Sequence, residues 1–144
     1  MKKQTLIIGI LFLFTVNLFA QKEHERVFFN LYDMEARFLE KQYNIPYVVS
    51  MSIAAKMSDF GRGDVYKAKN NPFGLKDENG KYKKYRNQQK AWIDFAETLR
   101  KKNIIFSQYR SDLISIKEVL YQDCRPEWAG EVIRLILEHK ARFY

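Results

Sequence analysis

The sequence predicts an α+β domain that is mostly helical and carries one small hairpin sheet. About five segments have apolar residues at helical spacing. The segment DENGKYKKYR contains Asn79-Gly80, a pair that favours a tight β-turn because both residues tolerate positive φ. With 144 residues, the chain is long enough for one domain.

The N-terminus has the three parts of a secretory signal peptide. Two lysines precede an apolar run from Leu6 to about Val16, and the small residue Ala20 precedes a polar one. We therefore predict cleavage after Ala20, which would leave a domain of residues 21–144 in the periplasm or outside the cell. Retention of the segment as a membrane anchor is the alternative, although the apolar run is short for a spanning helix.

Charge and cysteine content limit the partners that the exported domain can have. Loss of the two lysines would lower the formal net charge from +8 to +6, and a basic exported domain is attracted to anionic envelope polymers. Nucleic acid is a poor fit because no recognition motif is present. Cys124 is the only cysteine, so no intrachain disulfide can form. We expect neither a metal nor a cofactor, and the oligomeric state stays open.

The first helix of the exported domain is predicted within residues 23–43. Four apolar residues recur there at steps of four, three and four, and charged residues occupy the other face. We predict that this row packs against the core and that the helix has no chemical role. The row consists of Val27, Leu31, Met34 and Phe38.

The second predicted helix begins at Pro46, whose ring presets the backbone angle of an early helical position. Gly61 and Gly63 predict its end, since glycine adopts the left-handed conformation without a steric penalty. Its last turn is therefore expected to precede a polar loop that covers residues 64–71. One apolar row runs along it: Val49, Ile53, Met57 and Phe60.

Three further helices are predicted after the hairpin strands. Asn87 is expected to cap a helix that runs to about Lys102. Residues 103–114 are predicted as an irregular connection, followed by a short helix that starts at a capping-box pattern in residues 115–118. Pro126 is expected to begin the last helix.

Two blocks of the sequence, AAKMSDFGRG and NNPFGLK, resemble the signature of the bacterial glucosaminidase domain, glycoside hydrolase family 73. Members of that family read approximately A-L-E-S-G-W-G-R-S and, after a short loop, N-N-L-F-G-I-K. The resemblance implies a lysozyme-like fold with a glycan cleft between a helical lobe and a small β lobe. It also implies peptidoglycan, or another N-acetylglucosamine-containing glycan, as the partner. The matching residues are Ala55, Ser58, Gly61, Arg62, Asn70, Asn71, Phe73, Gly74 and Lys76.

Met57 occupies the position at which the family carries its catalytic glutamate. Glycoside hydrolysis usually needs a carboxylic acid that protonates the leaving oxygen, and a thioether cannot donate that proton. The resemblance therefore implies impaired catalysis. Asp59 and Asp64 are the candidate substitutes, although a helix would place Asp59 about 200° around its axis from Met57.

A second functional position of the family is a tyrosine in a segment resembling Y-A-T-D-P-N-Y-A. The counterpart here is QDCRPEWA, residues 122–129, which places Gln122 at the tyrosine position. Tyr121 immediately precedes it, and a shift of one residue would restore the tyrosine. Both residues therefore stay candidates. Asp94 matches an acid that the resemblance implies to be structural.

Several other side chains of this region could bind a sugar. Amide groups can donate and accept hydrogen bonds, and aromatic rings offer flat faces to pyranose rings. The same residue types also form turns and cores, so both interpretations stay open. The candidates are Tyr66, Asn70, Asn71, Phe73, Tyr82, Tyr85 and Trp128.

Three functional hypotheses follow. The first is an exported glucosaminidase-like domain that binds peptidoglycan or a related glycan and hydrolyses it weakly or not at all. The second is an active endo-β-N-acetylglucosaminidase that uses a substitute carboxylate. The third is a non-enzymatic envelope scaffold that binds a protein partner.

Overall fold

A computed structural model describes the backbone of residues 2–143 and the side chains of residues 15–140. Within these residues α2 lies at the centre, where it packs against α1 and α6, while α4 packs against α1 and α5 against α6. The described helices are α1 (Lys2–Tyr43), α2 (Tyr47–Ser58), α3 (Asp64–Lys69), α4 (Gln88–Lys101), α5 (Tyr109–Leu120) and α6 (Trp128–Phe143).

The core surrounds α2 and continues under the segment that follows α3. Ten of the twelve residues of α2 are buried, because neighbouring helices cover it on more than one side. Phe73 is completely buried, with its ring stacked on Phe95 at a centroid distance of 4.0 Å and Trp92 meeting its edge at 4.8 Å. This aromatic group fixes the 73–75 segment against α4.

The predicted hairpin sheet is wrong. No strand is present in the part of the chain that the structure describes, and the segment has one isolated antiparallel bridge between Lys76 and Tyr82. The reason is the turn, in which the Asp77 carboxylate accepts the N–H groups of Asn79 and Lys81 at 2.9 and 3.0 Å. Gly80 has φ 75°, whereas Asn79 does not adopt positive φ. This carboxylate-capped turn replaces the tight Asn-Gly turn. Beyond it, the Asn71 amide binds the Leu75 N–H and the Lys83 carbonyl, which a longer ladder would pair with each other.

The buried face of α1 is also different from the predicted one. Residues Val27, Leu31, Met34 and Phe38, called the outer stripe below, are exposed. The row that faces the core lies about one residue further along, which is a rotation of roughly 100°. Both rows are apolar at helical spacing, so periodicity alone could not choose between them. The buried row consists of Phe28, Tyr32, Ala36 and Leu39.

Two other boundaries differ from the predictions. Residues 64–69, predicted as loop, form α3. Helix α5 begins at Tyr109, well before the capping-box pattern, because Asp112 in its first turn accepts the N–H of Ser107 at 2.9 Å and supports the earlier start. The predicted cap of α4 is confirmed, since the Asn87 side chain accepts the N–H of Lys90 at 3.1 Å.

The predicted export segment is continuous with the rest of α1, because the backbone is helical from Lys2 onward. The structure does not describe the side chains of residues 1–14. The signal peptide and its cleavage after Ala20 therefore stay predictions. Within the described part of the chain, no helix combines the length and the apolar character that crossing a membrane requires.

Candidate functional site

The end of α2 is a sharp, left-handed turn. The helix ends at Ser58, earlier than the glycines predicted, and Asp59, Phe60 and Gly61 have φ values of 49°, 51° and 79°. The Ser58 hydroxyl donates to the carbonyl of Ala54 at 2.6 Å and accepts the N–H of Gly61 at 3.0 Å. These bonds stabilise the non-glycine residues in a conformation that they otherwise disfavour, and they leave Met57 in the last turn of the helix.

Met57 is half-buried between α6 and the 73–75 segment. Its Sδ atom accepts a hydrogen bond from the Trp128 indole N–H at 3.2 Å. Its methyl group lies against Gly74, where an added Cβ would be 3.2 Å from the Met57 Cε atom. Gly74 also has φ 59°. Both the backbone conformation and the approach of Met57 therefore favour glycine at position 74.

Tyr121, and not Gln122, lies beside this group. Its buried hydroxyl donates to the carbonyl of Phe73 at 2.8 Å, and its ring centroid is 4.7 Å from that of Trp128. Burial raises the pKa of Tyr121 well above its usual value, so the hydroxyl stays protonated. Gln122 is exposed, and its amide donates to the carbonyl of Glu118 at 2.7 Å. The Met57 cluster is defined here as Met57, Phe73, Gly74, Tyr121 and Trp128.

The two candidate substitute acids lie at the surface. The Asp59 side chain is 63% exposed and forms an ion pair with Arg62 at 2.9 Å. Asp64 is exposed and is the first residue of α3. Both acids are therefore open to solvent, whereas Met57 is half-buried.

The two asparagines hold the segment that follows them. Asn71 is buried: its amide accepts the N–H of Leu75 at 3.0 Å and donates to the carbonyls of Leu75 and Lys83 at 2.9 Å each. Asn70 has φ 51° and donates to the carbonyl of Tyr85 at 3.1 Å. Asn71 uses both of its polar groups inside the protein, which is the arrangement of a turn-forming residue.

The aromatic candidates fall into separate places. Phe73 lies in the core, as described above. The Tyr66 hydroxyl forms a hydrogen bond with that of Tyr32 on α1. The Tyr85 hydroxyl donates to Asp94 at 2.6 Å. Tyr82 is different, because its side chain is exposed and its ring lies 3.8 Å from the position that a Gly74 Cβ would take.

Sequence reasoning missed Asp123, which pairs with Lys76 next to Tyr82. The Lys76 ammonium group forms an ion pair with the Asp123 carboxylate and lies 5.0 Å from the centroid of the Tyr82 ring. The pair borders a cavity of about 320 Å³ that Lys83 and Gln122 also line. No local pattern links positions 76 and 123, so only the fold could reveal this contact. Exposed Tyr82, Lys76 and Asp123 form the outer side of the Met57 cluster.

Asp94 is the centre of a second polar group. Its Oδ2 atom accepts hydrogen bonds from the Lys83 ammonium group at 2.8 Å and from the Tyr85 hydroxyl at 2.6 Å. Burial alone would raise the pKa of Asp94, but these hydrogen bonds outweigh it and hold the pKa below its usual value. Burial also raises the pKa of Tyr85, so that hydroxyl remains a donor.

We expect Asp94→Asn to lower the free energy of unfolding by about 1 kcal/mol at pH 7, because it removes the partner of Lys83. A carboxyl whose pKa is lowered by folding contributes stability above its unfolded pKa and loses it as the pH falls through the folded pKa. Urea unfolding at pH 7 and at about pH 3 should therefore show a smaller difference from the wild-type protein at the lower pH. Equal differences at both pH values would contradict the ionised role of Asp94.

Comparison with solved structures identifies the same fold in three bacterial proteins. One is from a type VI secretion system effector-immunity complex of Pseudomonas protegens, with a TM-score of 0.70 and 17% identity over 83% of this chain and 93% of that one. The second is the catalytic domain of the Listeria monocytogenes autolysin Auto, with a TM-score of 0.65 and 22% identity over 81% of this chain and 85% of that one. The third is a glycoside hydrolase domain of Salmonella typhimurium FlgJ, with a TM-score of 0.61 and 19% identity over 81% of this chain and 98% of that one.

These neighbours confirm the mostly helical, lysozyme-like part of the predicted fold. No protein with a curated description matches the chain significantly. The glucosaminidase family, described as mannosyl-glycoprotein endo-beta-N-acetylglucosaminidase, matches residues 34–141. That match spans most of the chain and contains α2, the left-handed turn and the whole Met57 cluster, so the chain belongs to the glucosaminidase family.

Proposed function

We propose that the chain is an exported domain that binds peptidoglycan or another N-acetylglucosamine-containing glycan and has lost most or all of its hydrolytic activity. The observation that carries this proposal is the side chain at the end of α2. There, in a domain of the glucosaminidase family, a thioether accepts the Trp128 N–H at 3.2 Å. A thioether can neither protonate a leaving group nor carry a negative charge.

The surroundings of Met57 support the interpretation that an acid has been replaced. Sulfur is a weak hydrogen-bond acceptor, whereas a carboxyl oxygen is a strong one, so the Trp128 donor suits a carboxyl better than a thioether. Methionine and glutamate have similar lengths, and Gly74 leaves room for a side chain of this size. Half-burial would also raise the pKa of a carboxyl at this position, as a general acid requires.

The neighbouring carboxylates are poor substitutes for a general acid. Asp59, in the left-handed turn, and Asp64, which follows that turn, lie at the surface. Glu131 on α6 forms an ion pair with Lys56 at 2.6 Å, and the hydrogen bond from Lys56 lowers its pKa. Asp94 is held as a carboxylate by Lys83 and Tyr85. The hydrogen bond from Lys76 likewise lowers the pKa of Asp123, on the outer side of the Met57 cluster. An acid with a lowered pKa is deprotonated near neutral pH and cannot donate the proton.

Glycan binding is supported by the outer side of the Met57 cluster. Tyr82 is 41% exposed and can stack against a pyranose ring. The Lys76 ammonium group lies beside that ring and is paired with exposed Asp123, a partner that it can exchange for the carboxylates of muramyl peptides. We assign the sugar contact to this pair, because Asn71 and Phe73 are fully buried.

The test uses protein expressed from the full sequence and purified as the cell exports it. We expect reducing ends to be released from purified peptidoglycan at no more than about 1% of the rate of an active autolysin domain, the positive control, because general acid catalysis is worth about 10²-fold or more. We also expect retention on insoluble peptidoglycan in about 0.5 M salt, where surface charge attraction is screened. Tyr82→Ala should lose this retention, and the matched control Tyr82→Phe should keep it.

Two results would contradict the proposal. Hydrolysis at the rate of the positive control would favour the active enzyme with a substitute carboxylate. Loss of retention in salt, equal for the wild-type protein and Tyr82→Ala, would favour an envelope scaffold whose partner is a protein.

A further inference from the structure

The outer stripe of α1 is an apolar surface that the fold leaves uncovered. Val27 is 51% exposed, Leu31 57%, Met34 80% and Phe38 45%. Single exposed apolar residues are common, but a contiguous row of four large ones usually marks an interaction site. The row is separate from the Met57 cluster, since a different face of α1, the buried row, packs against the core.

The spacing of the outer stripe is symmetric. Its steps of four, three and four residues are the same in either chain direction. If two copies of α1 pack antiparallel around a two-fold axis midway between Leu31 and Met34, each Leu31 faces a Met34 of the second copy. Val27 then faces Phe38 of the second copy. Each contact joins a shorter and a longer side chain, which favours interlocking of the two rows.

The charged residues at the two ends of the stripe are complementary in the same arrangement. Glu23 lies one turn before Val27, and Lys41 lies nearly one turn after Phe38. At 100° per residue, both lie on the same side of the stripe. When two antiparallel helices are related by a two-fold axis, the same flank of each helix lies next to that flank of the other. Glu23 of each copy therefore faces Lys41 of the other copy. Flanking pairs of this kind set the orientation of packed helices.

The internal ion pairs of α1 are compatible with this contact. Glu23 is paired with Arg26 at 2.5 Å, but both side chains are more than half exposed, and such a pair contributes little and can exchange partners. Arg37 is bound to Asp33 at 2.8 Å and lies further from the stripe. No buried charge therefore has to be broken when two copies meet.

The available area fits a weak dimer. The four side chains are between 45% and 80% exposed, so each can bury a substantial part of its surface in a contact. A cavity of about 370 Å³ continues the surface between α1 and α4, with Met34, Phe38 and Ile93 in its lining. Stable interfaces begin at a total of about 1,200 Å², and a contact limited to the two stripes and their flanking residues belongs to the smaller, weak or transient class.

We propose that two copies of the chain associate through the outer stripes of antiparallel α1 helices. The test is sedimentation velocity on protein expressed from the full sequence, between about 1 and 200 µM, a range chosen for a micromolar dimer. The wild-type protein should pass from monomer to dimer in this range. Met34→Asp should weaken the dimer by about 100-fold, because it places a charge in the apolar contact. Its circular dichroism should not change, since Met34 is 80% exposed.

Charge exchange tests the antiparallel register. Lys41→Glu should weaken dimerisation by about 10-fold, because two attractive pairs become repulsive. Combining it with Glu23→Lys should restore the affinity. Lys140→Glu makes the same charge change at an exposed position on α6 and should have no effect.

Each other outcome overturns the proposal. A monomer at all concentrations excludes the second copy as occupant of the outer stripe, and a dimer unaffected by Met34→Asp uses a different surface. Failure of the double exchange to restore affinity excludes the antiparallel register. A monomer that binds phosphatidylglycerol vesicles, and loses that binding with Met34→Asp, would show that the stripe contacts lipid.

Discussion

Replacement of Met57 by glutamate is expected to raise peptidoglycan hydrolysis by about 10²-fold or more over the wild-type protein. The magnitude is the lower end of the contribution of general acid catalysis. The new carboxyl would lie at the end of α2, within reach of the Trp128 N–H that now binds the Met57 sulfur at 3.2 Å. Partial burial disfavours the ionised form of this carboxyl and so favours the protonated form that a general acid needs.

Two controls separate acid chemistry from a change of shape. Met57→Gln has the same length and can accept the Trp128 hydrogen bond but cannot donate an acidic proton, so it should stay inactive. The activity of Met57→Glu should fall at high pH as the carboxyl ionises, with the apparent pKa read from the pH dependence of kcat/KM. If the glutamate and glutamine variants have equal activity over this pH range, the acid is not the missing group.

Such a failure would direct attention to the second family position. Gln122 is exposed and binds the carbonyl of Glu118, whereas Tyr121 is buried and binds the carbonyl of Phe73. The Tyr121 hydroxyl is thus engaged in packing the 73–75 segment. A double variant that adds Gln122→Tyr to Met57→Glu would then be the next measurement of reducing-end release.

The parts of the fold that were predictable from the sequence depend on local interactions. The Asn87 cap of α4 was predictable because the side chain and the N–H of Lys90 are three residues apart. The buried face of α1 was not, because the outer stripe and the Phe28–Leu39 row have the same helical period. Contacts with α2 and α4 decide between them, and these contacts are long-range.

The candidate site shows the same limit more strongly. Met57 and Trp128 are 71 positions apart, and Tyr121 and Phe73 are 48 apart. The spacing of residues within one segment carries no information about such pairs. Only the family resemblance therefore predicted that AAKMSDFGRG and NNPFGLK contribute to one site. It could not show that Asn71 would be used inside the protein while Tyr82 stays exposed, because both outcomes suit the residue types.

The Asn71 amide makes a stability prediction that is independent of catalysis. We expect Asn71→Ala to lower the free energy of unfolding by about 2–4 kcal/mol, because it leaves the buried N–H and carbonyl of Leu75 and the carbonyl of Lys83 without this partner. Urea unfolding at pH 7 measures the change. Asn87→Ala removes a single capping hydrogen bond and serves as the reference variant. It should lower the free energy of unfolding by about 1 kcal/mol.

Asn71→Asp distinguishes the two halves of the amide. The aspartate keeps an acceptor for the N–H of Leu75 but replaces the NH₂ donor by an oxygen that faces two carbonyls. Because a buried charge beside two acceptors is costly, the variant should be at least as unstable as Asn71→Ala at pH 7 and should recover as the carboxyl is protonated. An Asn71→Ala protein within about 0.5 kcal/mol of the wild type, the range of ordinary surface substitutions, would mean that the Phe73 ring and the Tyr121 hydrogen bond hold this segment without the amide.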